Sequence, residues 1–276
     1  MSENLNMQAG LYPTALTVAG SDSGGGAGIQ ADLKTFEAFG VFGTSAITCI
    51  TAQSPERVTD IHPVPDKTVF EQIAVVCVDF PVIAIKTGML YSESIIKAVS
   101  VALEEYAPKV PLVLDPVMIA SSGAALLCRE AVGALKEMLL HRASLITPNI
   151  PEAEVLSETR IETPAEARLA AGIISAKYGT SCVVKGGHLP NRKDVINTLF
   201  HDGSFAIFSN EKVEIPQSHG TGCTFAAATT ACLAKGLSIP DAVKVAGEYV
   251  ASAIEHASAT GRHFPLAFRN GKLQDI

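Results

Sequence analysis

The sequence is poor in charge and has no stretch in which one sign dominates. Only 18% of its 276 residues are charged, and the formal net charge is −7. Lysine and arginine are scattered rather than clustered, which argues against a nucleic-acid duplex or a membrane surface as the main partner. An anionic small molecule needs only a local pocket, so the composition leaves that class of ligand open.

Paired cysteines and long apolar runs are also absent. The six cysteines show neither CxxC nor zinc-knuckle spacing, which is typical of free, mostly buried thiols in a reducing compartment. No segment approaches the roughly 18 consecutive apolar residues of a membrane helix. Residues 1–10 are polar and lack the apolar core of a signal peptide. We therefore expect a soluble, cytoplasmic protein.

Hydrophobic residues are abundant, at 47% of the chain, and they form two kinds of segment that alternate along the sequence. Short apolar runs alternate with longer segments of helical periodicity, with no break in composition and no internal repeat. This order predicts an α/β fold with a single doubly wound, mostly parallel sheet and helices on both faces. We expect residues 1–13 to form a flexible arm and residues 14–276 to form one domain.

The predicted elements follow one another through the whole domain. Strands are predicted at 15–20, 43–52, 82–88, 112–116, 144–148, 182–187, 195–200 and 205–208, the last two as a hairpin. Helices are predicted at 29–40, 67–79, 93–106, 129–141, 151–156, 163–178, after 222, and at 239–257. Polar and glycine-rich motifs follow the strands, and in such sheets ligands bind beyond the carboxyl ends of the strands. The sequence therefore predicts one site along that edge.

The segment from His219 to Thr224, HGTGCT, is the strongest candidate for this site. Its two glycines allow a tight turn with exposed backbone N–H groups, and the N-terminus of the following helix attracts anions. Cys223 falls in the first turn of that helix, where the pKa of a thiol tends to drop. The alternative is a glycine-rich loop before a core helix. We expect His219 itself to be structural rather than catalytic.

The loop of residues 21–28, SDSGGGAG, fits neither common nucleotide-binding template. It lacks the lysine and hydroxyl pair of a Walker A loop, and its glycines do not have GxGxxG spacing. Nearby, Asp32 is either a contact for a ligand amine or hydroxyl or a surface charge that favours a helix N-terminus. Gln53 either contacts a heteroaromatic ring through its amide or belongs to a turn.

Polar residues at later strand ends have the chemistry of a phosphate and metal site. Asp115 is a candidate for holding metal-bound water, and Asn149 with Glu152, in a proline-stiffened loop, supplies oxygen ligands that suit Mg²⁺. Lys185 would be costly to bury unpaired, which favours a phosphate contact. Each residue also has a structural alternative. Asp115 is then a turn carboxylate, the Asn149–Glu152 pair caps a helix, and Lys185 extends to solvent at the rim of the sheet.

Taken together, seven ordered segments resemble the hydroxymethylpyrimidine/phosphomethylpyrimidine kinases of thiamine biosynthesis. They are residues 19–36, 51–53, 86–90, 114–118, 147–154, 184–188 and 219–224. The resemblance extends over about residues 14 to 260 and is far more specific than any single motif. It implies a ribokinase-like fold and ATP-dependent phosphorylation of 4-amino-5-hydroxymethyl-2-methylpyrimidine, followed by phosphorylation of the monophosphate to the diphosphate.

The resemblance also implies roles for individual residues. Those expected to contact the pyrimidine are Gly20, Asp32, Gln53 and Met89. Those expected at the reacting groups are Gly220, Thr221, Gly222 and Cys223. Those expected to bind ATP are Thr147, Asn149 and Lys185, and those expected to organise Mg²⁺ are Asp115 and Glu152. We expect in-line transfer to the hydroxymethyl oxygen, with a Cys223 thiolate accepting the proton.

Two alternatives stay open beside this expectation. Sugar kinases of the ribokinase-like group usually carry aspartate where this chain has Cys223, which argues against a sugar substrate. Some bacterial pyridoxal kinases share the cysteine motif, so pyridoxal or pyridoxine is a second candidate substrate. A non-catalytic vitamin sensor on the same scaffold is the other alternative, although a sensor need not keep Lys185, Asn149, Glu152 and Cys223 together. We expect a homodimer, as in relatives.

Overall fold

The computed structural model describes residues 12–118, 127, 129–189, 193–213, 219–260 and 266, so most of the predicted arm lies outside it. Its strands are β1 (Thr14–Asp22), β2 (Phe42–Ser54), β3 (Arg57–Pro63), β4 (Val82–Thr87), β5 (Leu112–Leu114), β6 (Leu145–Ile146), β7 (Ser181–Lys185), β8 (Asp194–His201) and β9 (Ser204–Glu211). Its α-helices are α1 (Gly28–Ala38), α2 (Asp66–Asp79), α3 (Glu93–Tyr106), α4 (Arg129–Met138), α5 (Ile150–Ser157), α6 (Pro164–Tyr178), α7 (Thr221–Ala234) and α8 (Ile239–Glu255).

These strands form one sheet in the order β3-β2-β1-β4-β5-β6-β7-β8-β9. Strands β2, β1, β4, β5, β6 and β7 are parallel, whereas β3, β8 and β9 are antiparallel at the two edges. The predicted single, mostly parallel sheet is confirmed. Strand β3 escapes prediction because none of its residues is buried, so it carries no apolar signature.

Helices cover both faces of the sheet and enclose two hydrophobic cores. Helices α2 to α6 pack on one face, and α1, α7 and α8 pack on the other. Leu16 and Val18 of β1 face the first core, whereas Ala15 faces the second. This alternation explains why the parallel strands are continuous apolar runs. None of the helices in the described part is long and apolar enough to span a membrane.

Helix α7 runs through the interior behind the strand ends. Most of its residues are buried and small, including three consecutive alanines from Ala226, and a helix that is apolar on all sides is a core helix. It begins after Gly220 with a φ of 82°, and Gly236 follows its end with a φ of 84°. Gly236 therefore closes the helix in the left-handed conformation that a glycine after a helix end favours.

Local signals explain several other boundaries. Asp202 and Gly203 turn the β8–β9 hairpin with φ angles of 46° and 74°, the conformation that Asp-Gly favours. Thr163 and Glu166 form a reciprocal capping box at the start of α6. The predicted hairpin and helix start are both confirmed. The order of the sheet reverses between β1 and β4, which opens a crevice at their carboxyl ends.

Candidate active site

A cavity of about 490 Å³ opens at the carboxyl edge of the sheet, between the strand ends, the N-terminus of α7 and helix α8. Nine residues that the sequence analysis assigned to the site line it: Gln53, Asp115, Asn149, Glu152, Lys185, Gly220, Thr221, Gly222 and Cys223. Four other assigned residues are not part of its lining: Gly20, Asp32, Met89 and Thr147. The predicted convergence of strand-end motifs on one edge is confirmed.

Lys185 and Asp115 form an ion pair in the wall of the cavity. The Lys185 Nζ atom lies 2.8 Å from Oδ1 of Asp115, and the Thr147 hydroxyl donates to the same oxygen at 3.2 Å. Burial by itself would lower the pKa of Lys185, but Asp115 and Glu152 outweigh burial and raise it. A side chain at Gly222 would place its Cβ only 3.2 Å from Lys185 Nζ. The lysine is therefore charged and lies directly against the start of α7.

Asn149 and Glu152 cap α5 and also face the cavity. The Glu152 N–H donates to Oδ1 of Asn149, and the Asn149 N–H donates to Oε2 of Glu152, both at 2.9 Å. Burial raises the pKa of Glu152 to about 7, against the opposing effect of Lys185, and Asp115 adds to the rise. The capping geometry left open above is confirmed. It also holds a carboxyl group in a place where its negative charge lacks full compensation.

The turn before α7 admits only glycine at residue 220. Its φ is 82°, and a Cβ there would collide with the carbonyl oxygen of Gly26. The first N–H groups of an α-helix have no partner within the helix, and those of α7 belong to Thr221, Gly222 and Cys223 beside the cavity. These N–H groups and the helix dipole favour an anion at this end of the cavity.

Cys223 lies at the third residue of α7 and lines the cavity. Burial raises the pKa of its thiol to about 11; Lys86 opposes this rise, Asp32 and Asp115 add to it, and a hydrogen bond from the backbone of Gly28 opposes it. The expectation of a lowered thiol pKa at Cys223 is therefore wrong. Removal of the thiol from water outweighs the attraction of Lys86 and the hydrogen bond from Gly28.

Asp32 is neither a surface charge nor a residue of the cavity wall. It is fully buried, and its two oxygens lie 2.9 and 2.8 Å from Nζ of Lys86. The Thr17 hydroxyl donates to it at 2.6 Å. The expected direct contact between Asp32 and the pyrimidine is therefore not available in this structure, because Lys86 and Thr17 occupy the carboxylate. A lysine within an apolar strand is the sequence signal that could have revealed this pair.

Gly20 and Met89 lie together in the crevice between β1 and β4. A Cβ at Gly20 would lie 2.8 Å from Sγ of Cys49 and 3.5 Å from Sδ of Met89. The small apolar cluster around Cys49 and Met89 also includes Ile61, Tyr91 and Val117. Because Val117 lines the cavity as well, this cluster forms an apolar wall beside the cavity.

The far end of the cavity contains residues that the sequence analysis missed. They come from β8, β9, the residue after β9, and α8, and they include Asn197, Asn210, Lys212, Gly247 and Val250. A Cβ at Gly247 would lie 2.9 Å from Nδ2, the side-chain amide nitrogen, of Asn210. A glycine inside an otherwise regular helix was the available signal, since such a residue often marks a close approach.

This architecture is that of the ribokinase-like kinases. A pyridoxal kinase from Bacillus subtilis, solved as an ADP complex, superposes with a TM-score of 0.84 at 36% identity, over 92% of this chain and 96% of that one. The chain belongs to the phosphomethylpyrimidine kinase family, which matches residues 22–266. The resemblance found in the sequence is therefore confirmed.

Two further relatives support the assignment to this family. The chain is 47% identical over 250 residues to the hydroxymethylpyrimidine/phosphomethylpyrimidine kinase of Haemophilus influenzae, which covers 90% of this chain and 93% of that protein. A phosphomethylpyrimidine kinase from Clostridium difficile superposes with a TM-score of 0.77 at 39% identity, over 87% of this chain and 99% of that one.

Proposed function

We propose that this protein transfers the γ-phosphoryl group of ATP to the hydroxymethyl oxygen of 4-amino-5-hydroxymethyl-2-methylpyrimidine, and that it then phosphorylates the monophosphate. The observation that carries the proposal is the meeting of Lys185, Asp115 and Gly222 at the start of α7. Family membership and the relative from Haemophilus influenzae support the acceptor, and the ADP complex of the pyridoxal kinase supports the nucleotide. The diphosphate then serves thiamine biosynthesis.

The transferred group requires placement and charge stabilisation more than covalent chemistry. The N–H groups of Thr221, Gly222 and Cys223 would donate to its oxygens, and the Lys185 ammonium would neutralise the phosphates of ATP. Asn149 and Thr147 would hold the neighbouring strand ends in place for the nucleotide. These groups are rigid because each belongs to a strand end, a capped helix or a glycine turn.

The residues at the cavity also suit Mg²⁺. Within the described ranges there is no cluster of three or more histidine, cysteine, aspartate or glutamate side chains for a metal. The chain would therefore supply Asp115 and Glu152, with water and phosphate oxygens completing the shell, as is usual for Mg²⁺. When bound, the ion would supply charge neutralisation on the phosphates.

The acceptor end of the cavity suits a flat, weakly polar ring. The Gln53 amide can donate to and accept from ring nitrogen and amino groups. The apolar wall beside Gly20 and Met89 would pack against the ring face and its methyl group. In this proposal Asp32 acts from beneath the site through Lys86, and not by touching the ring.

In this proposal Cys223, which lines the cavity, accepts the hydroxymethyl proton during the first transfer. In the second transfer the acceptor is already an ionised phosphate, so a base is less needed. We expect Cys223→Ala to lower kcat of the first step at least about 10-fold and that of the second step much less. Because the thiol pKa is raised to about 11, the first step of the unaltered protein should also quicken from pH 7 to 9. Equal losses in both steps, with no such pH dependence, would make Cys223 a purely positional residue.

The decisive experiment compares kcat/KM for three acceptors with ATP and Mg²⁺: the pyrimidine, its monophosphate and pyridoxal. We expect turnover of both pyrimidines to exceed that of pyridoxal. Pyridoxal is the second candidate because the superposed Bacillus subtilis kinase acts on it. A preference for pyridoxal would replace the proposed substrate. Tight binding of a vitamin without any turnover would make the protein a sensor.

We further propose that the protein works as a homodimer in the cytoplasm. The cysteines of the described part are free thiols, which fits a reducing compartment. Several apolar side chains are exposed near one end of β2 and on α2, among them stacked Phe42 and Phe80 and the 69%-exposed Val78, and exposed apolar patches often mark interfaces. Light scattering at micromolar concentration should give twice the chain mass; a monomer would refute the dimer.

A further inference from the structure

Asp22 and His219 connect the two glycine-rich loops of the molecule. They are 197 residues apart in sequence, yet Nε2 of His219 lies 3.1 Å from Oδ2 of Asp22. The side chain of His219 is only 12% exposed, and that of Asp22 is 2% exposed. Asp22 ends β1, and His219 directly precedes the glycine turn of α7. The pair therefore joins the loop after β1 to the loop that begins the phosphate-binding helix.

Asp22 is the organising carboxylate of its own loop. Its Oδ1 accepts from the N–H of Gly24 at 2.8 Å, and its Oδ2 accepts from those of Gly26 and Ala27 at 3.0 and 2.8 Å. Burial acts to raise the pKa of Asp22, but the hydrogen bonds from His219 and the backbone outweigh burial and lower it. An ionised Asp22 thus holds the loop in shape and gives the His219 ring a fixed partner.

The other neighbour of His219 is Gln53, the proposed reader of the acceptor ring. The two Nε2 atoms lie 3.2 Å apart, and both side chains line the cavity. Because Nε2 of His219 donates to the ionised Asp22, it can hold Gln53 only by sharing that proton with the Gln53 amide oxygen. This amide orientation lets the Gln53 nitrogen donate to the Thr51 hydroxyl. The backbone of Gln53 is held in turn by Ser23, whose hydroxyl accepts from the Gln53 N–H at 2.8 Å.

The ring has little freedom to move. A Cβ at Gly26 would lie 2.9 Å from Cδ2 of His219, and one at Gly220 would collide with the Gly26 carbonyl oxygen. The imidazole is therefore enclosed between the loop after β1, the end of β2 and the turn before α7. His219 belongs to the turn before α7, and its ring lies at hydrogen-bond distance from Asp22 and Gln53, one residue in each of the other two segments.

We propose that His219 is a positioning residue for phosphoryl transfer, which holds Gln53 and the loop after β1 in a fixed relation to the N-terminus of α7. The inference rests on the proposed function, since it assumes an acceptor at Gln53 and a phosphoryl group at α7. In-line transfer requires the acceptor oxygen and the phosphorus at near-contact distance, and a displacement of about 1 Å can cost about 100-fold in rate. Loosening this connection should lower kcat while leaving ATP binding intact.

A matched pair of variants tests the proposal. In His219→Gln the amide nitrogen can reach the place of Nε2, whereas in His219→Asn it stops near the place of Nδ1, short of Asp22. We expect His219→Asn to lower kcat for the pyrimidine about 10- to 100-fold and His219→Gln to retain it within about 3-fold. KM for ATP should change less than about 2-fold in both. A further Gln53→Ala change should cost less in His219→Asn than in the unaltered protein.

Several outcomes would overturn the proposal. One is equal kcat for the two His219 variants, and another is strict additivity with Gln53→Ala. Should His219→Asn fail to fold, Asp22→Asn is the deciding variant, and an unchanged kcat in it would reject the positioning role. If the unaltered protein turns over no pyrimidine, the proposed function fails separately. Calorimetry then decides: His219→Asn must weaken pyrimidine binding and leave binding of a non-hydrolysable ATP analogue unchanged, or the inference fails too.

Discussion

Two lysine–aspartate pairs lie within electrostatic reach of Cys223, and each has an N–O distance of 2.8 Å. Lys86 and Asp32 have no exposed side-chain surface, whereas Lys185 retains 13% and lines the cavity. Removing both ions from water is costly, so the sealed pair is stable only when intact. In the proposed function, Lys185 of the pair in the cavity instead turns part of its charge toward the phosphates of ATP. Exposure to the cavity, and not the N–O distance, therefore distinguishes the Lys185–Asp115 pair from the Lys86–Asp32 pair.

The largest effect should come from breaking the sealed pair. Lys86→Met leaves Asp32 buried without a counter-charge, so we expect the free energy of unfolding to fall by about 3–5 kcal/mol in urea denaturation. Adding Asp32→Leu should restore part of the loss, because the lone charge is then gone. A loss below about 1 kcal/mol for Lys86→Met would mean that water reaches the pair, and the contrast between the two pairs would disappear.

The cavity pair should behave in the opposite way. Lys185→Met removes the charge that in the proposed function neutralises the phosphates of ATP, so we expect kcat to fall about 100- to 1,000-fold. Its unfolding free energy should fall less than that of Lys86→Met, because Lys185 retains 13% exposure and Asp115 lines the cavity. Steady-state kinetics and urea denaturation on the same preparation measure both. Loss of stability without loss of kcat would assign Lys185 a structural role.

A pH experiment sharpens the view that the cavity side carries uncompensated negative charge. With the pKa of Glu152 raised from 4.5 to about 7, the folded protein keeps a proton that the unfolded chain has lost in that window. Stability from this group therefore falls as the pH rises from 4.5 to 7. Glu152→Gln removes this slope, so the variant should gain on the order of 1–3 kcal/mol relative to the unaltered protein across the window. If the difference in unfolding free energy between Glu152→Gln and the unaltered protein does not change with pH, the pKa of Glu152 is not raised.

The smallest effect compares two capping boxes, one at the cavity and one on the surface. Asn149→Ala and Thr163→Ala should each lower the free energy of unfolding by about 1 kcal/mol, because each removes a side-chain acceptor from a helix start. Only Asn149→Ala should also lower kcat, since its box holds Glu152 at the cavity. Equal kcat values in the two variants would separate the α5 cap from catalysis.

The predicted elements agree with the structure wherever local chemistry decides. The apolar runs of the parallel strands, the Asp-Gly turn and the capping box at Thr163 all act within a few residues. Strand β3 failed this test because it is a polar edge strand that pairs with β2 in the antiparallel direction. The same limit applies to Cys223, whose helix position was predictable but whose burial was not.

What the sequence determined by itself was the order of strands and helices, and hence which polar motifs would follow strand ends. Hydrophobic periodicity and turn chemistry depend on residues close together in the chain, so both can be recognised in a single sequence. Tertiary structure alone decided that Lys86 reaches Asp32 and that His219 reaches Asp22. Those partners are far apart in sequence, and a pairing between buried charges depends on which faces the packed layers bring together. The same packing set the thiol pKa of Cys223, because desolvation is a property of the surroundings and not of the residue.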